Sequence, residues 1–108
     1  MHISDIIILI WIHFFADFIL QTDDMAIKKS KDIWWLFIHS FFYMIPFCIY
    51  PNIAYGIING CSHFLIDLVT SKITTCLYQK DKRHWFFVVI GLDQAIHLTI
   101  LILTFKMV

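Results

Sequence analysis

IAYGIINGCSHFLIDLVTSKITTCL, residues 53–77, is the stretch on which the fold turns. Its small and polar residues, Gly56, Asn59, Gly60, His63, Asp67, Ser71 and Thr74, recur at steps of three and four. That recurrence is one face of an α-helix, and the period-two alternation of a half-buried strand is absent. The remaining positions are apolar, and the run is long enough for the ~20 residues that cross a bilayer. Small residues on the polar face let a neighbouring helix come close. The same face carries His63 and Asp67, four positions apart, so two ionisable side chains stand ~40° apart in rotation and ~6 Å apart along the axis.

Working outward, Pro51-Asn52 leaves room only for a tight turn before this helix, so the apolar run before it, residues 33–50, must be its antiparallel neighbour. Pro46 inside that run either kinks the helix or marks its last turn. Downstream, residues 84–105 form another apolar run, and at the N-terminus residues 3–20 form one that stops at the polar QTDD. The expectation is an all-α chain: a four-transmembrane-helix bundle in one integral membrane domain, with spans near 3–20, 33–50, 53–77 and 84–105. MHISDIIILI has neither a basic leader nor a small-residue cleavage pattern, so it reads as a retained span.

Composition agrees. The chain is 60% hydrophobic and 15% charged, with mean hydropathy +0.78, whereas a soluble domain is about 25% charged. Its formal net charge is zero, which gives no electrostatic footprint for nucleic acid. Trp34, Trp35, Tyr50, Tyr55, Tyr78 and Trp85 fall near span ends, as an interfacial belt would. Lys28, Lys29 and Lys31 lie between spans one and two; Lys80, Lys82 and Arg83 lie between spans three and four. The positive-inside rule then places the basic loops 21–32 and 79–83 in the cytoplasm and both termini outside.

HFFAD at 13–17 repeats the HFLID spacing of 63–67, and DQAIH at 93–97 reverses it. With His39 in span two, every span contributes ionisable groups: His13 and Asp17, His39, His63 and Asp67, Asp93 and His97. A charge at membrane depth costs ~2.5–3.5 kcal/mol on insertion scales, so these side chains are expected to face one another at a common depth. HFFADF and HFLIDL, each followed by a basic loop and a returning helix, suggest a duplicated helical hairpin.

Four imidazoles and three carboxylates are what a hard-to-borderline divalent metal selects. Zinc is the leading expectation, with iron or manganese as alternatives, as one ion or two. Carboxylate–histidine pairs on facing helices build metal sites in four-helix bundles. Gln21, Asn59 and Gln94 are expected to orient the ligands, and Asp93 or Asp17 to act as general base. Lys82, Arg83 and Lys28 are candidates for attracting a phosphate. Cys48, Cys61 and Cys76 form no CxxC pattern and are not expected to bind metal.

The motifs HFxADFxLQ, NGxxHFxID and KRHWFFxxIGxDQxxH together resemble a family of small bacterial and phage inner-membrane proteins carried as a domain of unknown function. The resemblance covers nearly the whole chain and implies a four-helix protein of the bacterial cytoplasmic membrane; it implies no activity. A looser similarity is to membrane-bound, LexA-regulated metal-dependent hydrolases. The leading functional expectation is a metal-dependent hydrolase acting on a lipid or phosphate-containing membrane substrate. The alternatives are a subunit transporting divalent cations or protons, and a non-enzymatic membrane scaffold or effector held by a structural His/Asp network. A bundle this small is also a candidate homo-oligomer.

Overall fold

The polar stripe read in residues 53–77 lies along one helix of the computed structural model, and its members Gly56, Asn59, Gly60, His63, Asp67 and Ser71 are all buried. The structure describes residues 1–108, the side chain of Ala26 excepted, and is 83% helical; no strand occurs among the described residues. The elements are α1 (Ile3–Phe14), continued by a π-helical turn (Phe15–Ile19), α2 (Asp23–Lys28), α3 (Ile33–Ile49), α4 (Ile53–Gln79) and α5 (Arg83–Phe105).

Local chemistry sets the boundaries. Asp32 caps α3 by accepting from the Trp34 amide at 2.9 Å, and Asn52 caps α4 by accepting from the Tyr55 amide at 2.9 Å. Each thereby satisfies an N–H that a helix start leaves open. Pro46 resolves as a last-turn residue: its carbonyl accepts from the Tyr50 amide, beyond which α3 stops. Asp81 takes φ 60° in the turn before α5, a region that aspartate tolerates better than most residues.

Two elements differ from the sequence expectation. The polar stretch after span one is not all loop: Thr22 accepts from the Met25 amide at 3.2 Å and opens α2, with Asp23 and Asp24 in its first turn, where carboxylates suit the helix dipole. Span one is also not a uniform α-helix, because it widens into the π-helical turn around Asp17.

The four long helices stand at the corners of a square. α1 lies alongside α3 and α5, and α4 lies alongside the same two, which puts α1 and α4 on one diagonal. Hydrogen bonds fix which ends meet. Tyr50 donates to Asp5 at 2.6 Å, and Tyr55 donates to the Leu101 carbonyl at 2.7 Å. Both termini and the 50–52 turn therefore share one end, while the basic segments 28–31 and 80–83 share the other. The α3–α4 contact is close: a Cβ on Gly56 would lie 2.6 Å from the Cys48 nitrogen and 2.8 Å from its Cα.

The interior mixes polar and hydrophobic side chains, and much of the exterior is apolar. Among the described residues, nine buried positions are polar or charged and eight are hydrophobic, while Trp11, Trp34, Ile49, Leu65 and Leu103 are among the many large apolar side chains left exposed. Two helices, α4 and α5, are long and apolar enough to cross a membrane, and α3 is apolar but shorter.

Candidate metal centre

Each of the four corners of the square sends a titratable side chain inward at the same level. His13 (α1) and Asp17 (π-helical turn), His39 (α3), His63 and Asp67 (α4), and His97 (α5) are all buried; Asp93 (α5) is partly so. The π-helical turn carries Asp17 on the wall facing α3, where π-turns inside α-helices often serve functional sites.

The centre of the cluster is a set of four. His39 Nε2 lies 3.1 Å from Asp17 Oδ1 and 3.6 Å from Asp67 Oδ2. His63 Nε2 lies 3.8 Å from Asp17 Oδ1 and 3.3 Å from Asp67 Oδ2. Those four separations close a ring of two nitrogens and two oxygens. Ligands ~2.0–2.2 Å from a tetrahedral ion stand roughly 3.3–3.6 Å apart, close to these separations, and the group could hold a metal ion. Its members also lie within 4.8 Å of one another, as do those of a second set, Asp17, Asp93 and His97. Asp17 belongs to both.

Two further observations favour a cation there. His63 is fully buried, yet neither of its ring nitrogens has a hydrogen-bond partner, an exception among buried polar groups. Its ring is held by stacking on Tyr43, centroids 3.9 Å apart, and on His97 at 4.4 Å, with Nε2 near the carboxylates of Asp67 and Asp17 but not aligned to donate to them. The second is the charge balance of the site. Three carboxylates face one ammonium, that of Lys29, which donates to Asp67 Oδ2 at 3.1 Å. If every histidine is neutral, two negative charges remain in a buried site, where an uncompensated charge is costly. A divalent ion would offset them, as would a proton on His97, whose Nε2 faces both Asp67 and Asp93.

Around this core runs a chain of hydrogen bonds with one consistent set of donors. Gln94 Nε2 donates to Asp17 Oδ2 and Asp93 Oδ2, each at 3.1 Å. Its Oε1 lies 2.7 Å from His13 Nε2, which donates to it. His13 Nδ1 then accepts from Tyr43, 3.2 Å away. Both ring nitrogens of His13 are thus engaged; it faces Asp17 Oδ2 at 3.9 Å and lies outside the two candidate ligand sets. His97 Nε2 faces Asp67 Oδ1 at 3.0 Å and Asp93 Oδ1 at 3.2 Å, and Thr70 donates to Asp93 Oδ1 at 2.6 Å.

A cavity of about 580 Å³ opens beside the cluster. Asp67 and Asp93 form its floor, with Lys29, Lys31, Thr70 and Gln21 among the lining and Phe18, Phe86 and Ile90 as apolar wall. Gln21 borders this cavity with a buried, unpartnered Oε1.

Other residues singled out in the sequence lie elsewhere. Asn59 donates to the Tyr55 carbonyl and to Thr104 Oγ1, toward the opposite end of the bundle. Lys28 pairs with Asp24 at 3.9 Å and sits over Trp35. Arg83 pairs with Asp81 at 3.3 Å; neither it nor Lys82 lines the cavity. Conversely, Tyr43, Thr70 and Lys29 touch the cluster although the motifs did not point to them. Tyr43 follows His39 by four, and Thr70 follows Asp67 by three, which puts each on its partner's helix face. Lys29 carries no such signal.

No curated protein and no solved structure matches the chain. A family model described as a protein of unknown function (DUF3307) matches residues 6–108, nearly the whole sequence, and the chain belongs to that family.

Proposed function

We propose that this chain is a four-span membrane protein built around an intramembrane divalent-metal centre, and that it is a metal-dependent hydrolase acting on a phosphate-containing lipid. The observation that carries the reading is the convergence of His39, His63, Asp17 and Asp67 donor atoms, with nitrogen–oxygen separations of 3.1–3.8 Å. The largely apolar exterior around a buried His/Asp cluster supports the membrane setting: the outside resembles what lipid requires, and costly groups are turned inward. The diagonal placement of α1 and α4 suits two copies of one helical hairpin related by an axis along the membrane normal.

A divalent ion bound here would lower the pKa of a water molecule and supply a nucleophile near neutral pH. The protein's part is to present substrate to it. Of the two carboxylates considered as catalytic groups, Asp17 is enclosed by His39, His63 and Gln94, whereas Asp93 reaches the cavity floor. Asp93 is therefore the catalytic carboxylate of this proposal. Lys29 and Lys31 attract an anionic head group, while Phe18, Phe86 and Ile90 accept the apolar part of the same molecule. The basic end of the bundle faces the cytoplasm in this reading, so substrate enters from the inner leaflet.

The test is turnover of phosphate-containing lipids in mixed micelles by detergent-purified protein, before and after chelation. Chelation is expected to abolish hydrolysis and added zinc, iron or manganese to restore it. Hydrolysis that persists in the chelated protein would contradict the proposal. Metal-dependent cation flux in liposomes without hydrolysis would favour transport instead.

A further inference from the structure

We infer that the cluster holds two divalent ions in unlike positions: a closed inner one at Asp17, His39, His63 and Asp67, and an open outer one at Asp17, Asp93 and His97, facing the cavity. The inference rests on the metal-centre reading above and adds to it which position does chemistry.

The two donor sets differ in number, burial and access. The inner set has four protein ligands, all buried. Structural zinc sites are closed in this way, with four protein ligands, whereas catalytic sites keep three and leave a position for water or substrate. The outer set has three protein groups; its Asp93 lines the cavity, as Asp67 of the inner set also does, but Asp93 is the more exposed of the two. Its side chain is 13% exposed against 2–6% for Asp17, Asp67 and His97.

Asp17 is arranged to serve both positions. Its Oδ1 faces His39 and His63, while its Oδ2 faces Gln94 on the α5 side. A carboxylate with its two oxygens turned to different ligand sets is the geometry of a bridging ligand. The outer set has its own supports: Gln94 ties Asp17 to Asp93, and Thr70 fixes Asp93 Oδ1, the oxygen that faces His97. Such partners hold ligating side chains in place and are typically worth 10–100-fold in metal affinity. In this arrangement Asp93 contributes to catalysis as a ligand of the outer ion.

The experiment is metal stoichiometry and release on full-length protein in detergent micelles, loaded with zinc and then diluted into excess chelator. Two equivalents are expected, released in two phases of equal size whose rates differ at least tenfold. Asp93→Asn is expected to keep one equivalent, the slow one. Thr70→Val leaves every ligand in place and is expected to accelerate the fast phase alone by about tenfold. One equivalent in the wild type, a single release phase, or two equivalents retained in Asp93→Asn would each overturn the two-position inference while leaving a metal centre standing. No bound zinc in the wild type would overturn the metal-centre reading itself.

Discussion

Gln94 is a neutral side chain that organises charged ones. It accepts from His13 and donates to both Asp17 and Asp93. Gln94→Ala removes the donor from two carboxylates and is expected to weaken metal binding by about 10–100-fold with the fold retained. Competition against a chromogenic chelator measures it, and an unchanged affinity would show that the amide orients nothing. Tyr43 presents a subtler case, since its hydroxyl serves His13 while its ring stacks on His63. Tyr43→Phe deletes the first and keeps the second, so thermal unfolding should register a loss of about 1 kcal/mol, far less than Tyr43→Ala. The histidines and aspartates were legible in the sequence because ionisable groups four apart stand out in an apolar run. Tyr43 was not, because an aromatic in such a run reads as lipid-facing. Lys29 was hidden for a different reason: it reaches Asp67 across 38 positions from a loop. Asn59 shares the polar stripe of α4, but that stripe is longer than the site, and its upper part serves the contact with α5.

At the level of elements, the close approach of α3 and α4 depends on Gly56. A methyl there would meet the backbone of Cys48, which cannot swing aside as a flexible side chain can. Gly56→Ala is expected to destabilise by about 1–3 kcal/mol through overpacking. Gly91, on α5, meets nothing within 4 Å of an added Cβ, so Gly91→Ala should be neutral or stabilise by up to about 1 kcal/mol through helix propensity. Paired thermal melts in one detergent compare the two; similar losses at both sites would contradict the packing account. The helices themselves were readable from their apolar runs; the structure adds that Asp32 and Asn52 cap α3 and α4. The π-helical turn was not readable, because nothing in FADFI departs from a helical pattern. It coincides with the contact between Asp17 and His39.

For the whole molecule, the governing feature is that a His/Asp cluster is buried while many large apolar side chains are exposed. Leu65, near the middle of α4, is 63% exposed. On an aqueous surface, Leu65→Arg would change stability within about ±0.5 kcal/mol. Facing lipid, it should cost ~2.5–3.5 kcal/mol and lower the fraction of protein recovered in the membrane by well over tenfold. Unchanged recovery would speak against the membrane setting. The up-and-down order of the helices followed from the short connections at 50–52 and 80–82. The square arrangement and the cavity did not, because both arise from side chains of segments far apart in sequence, with Lys29, Thr70 and Asp93 meeting only in the folded chain.

The most direct measurement of the central claim is metal K-edge X-ray absorption on the purified DUF3307 protein. A nitrogen/oxygen shell at ~2.0–2.2 Å with imidazole outer-shell scattering and no sulfur contribution near ~2.3 Å is expected for a His/Asp centre. A sulfur shell, or protein that holds no metal under any loading condition, would contradict it.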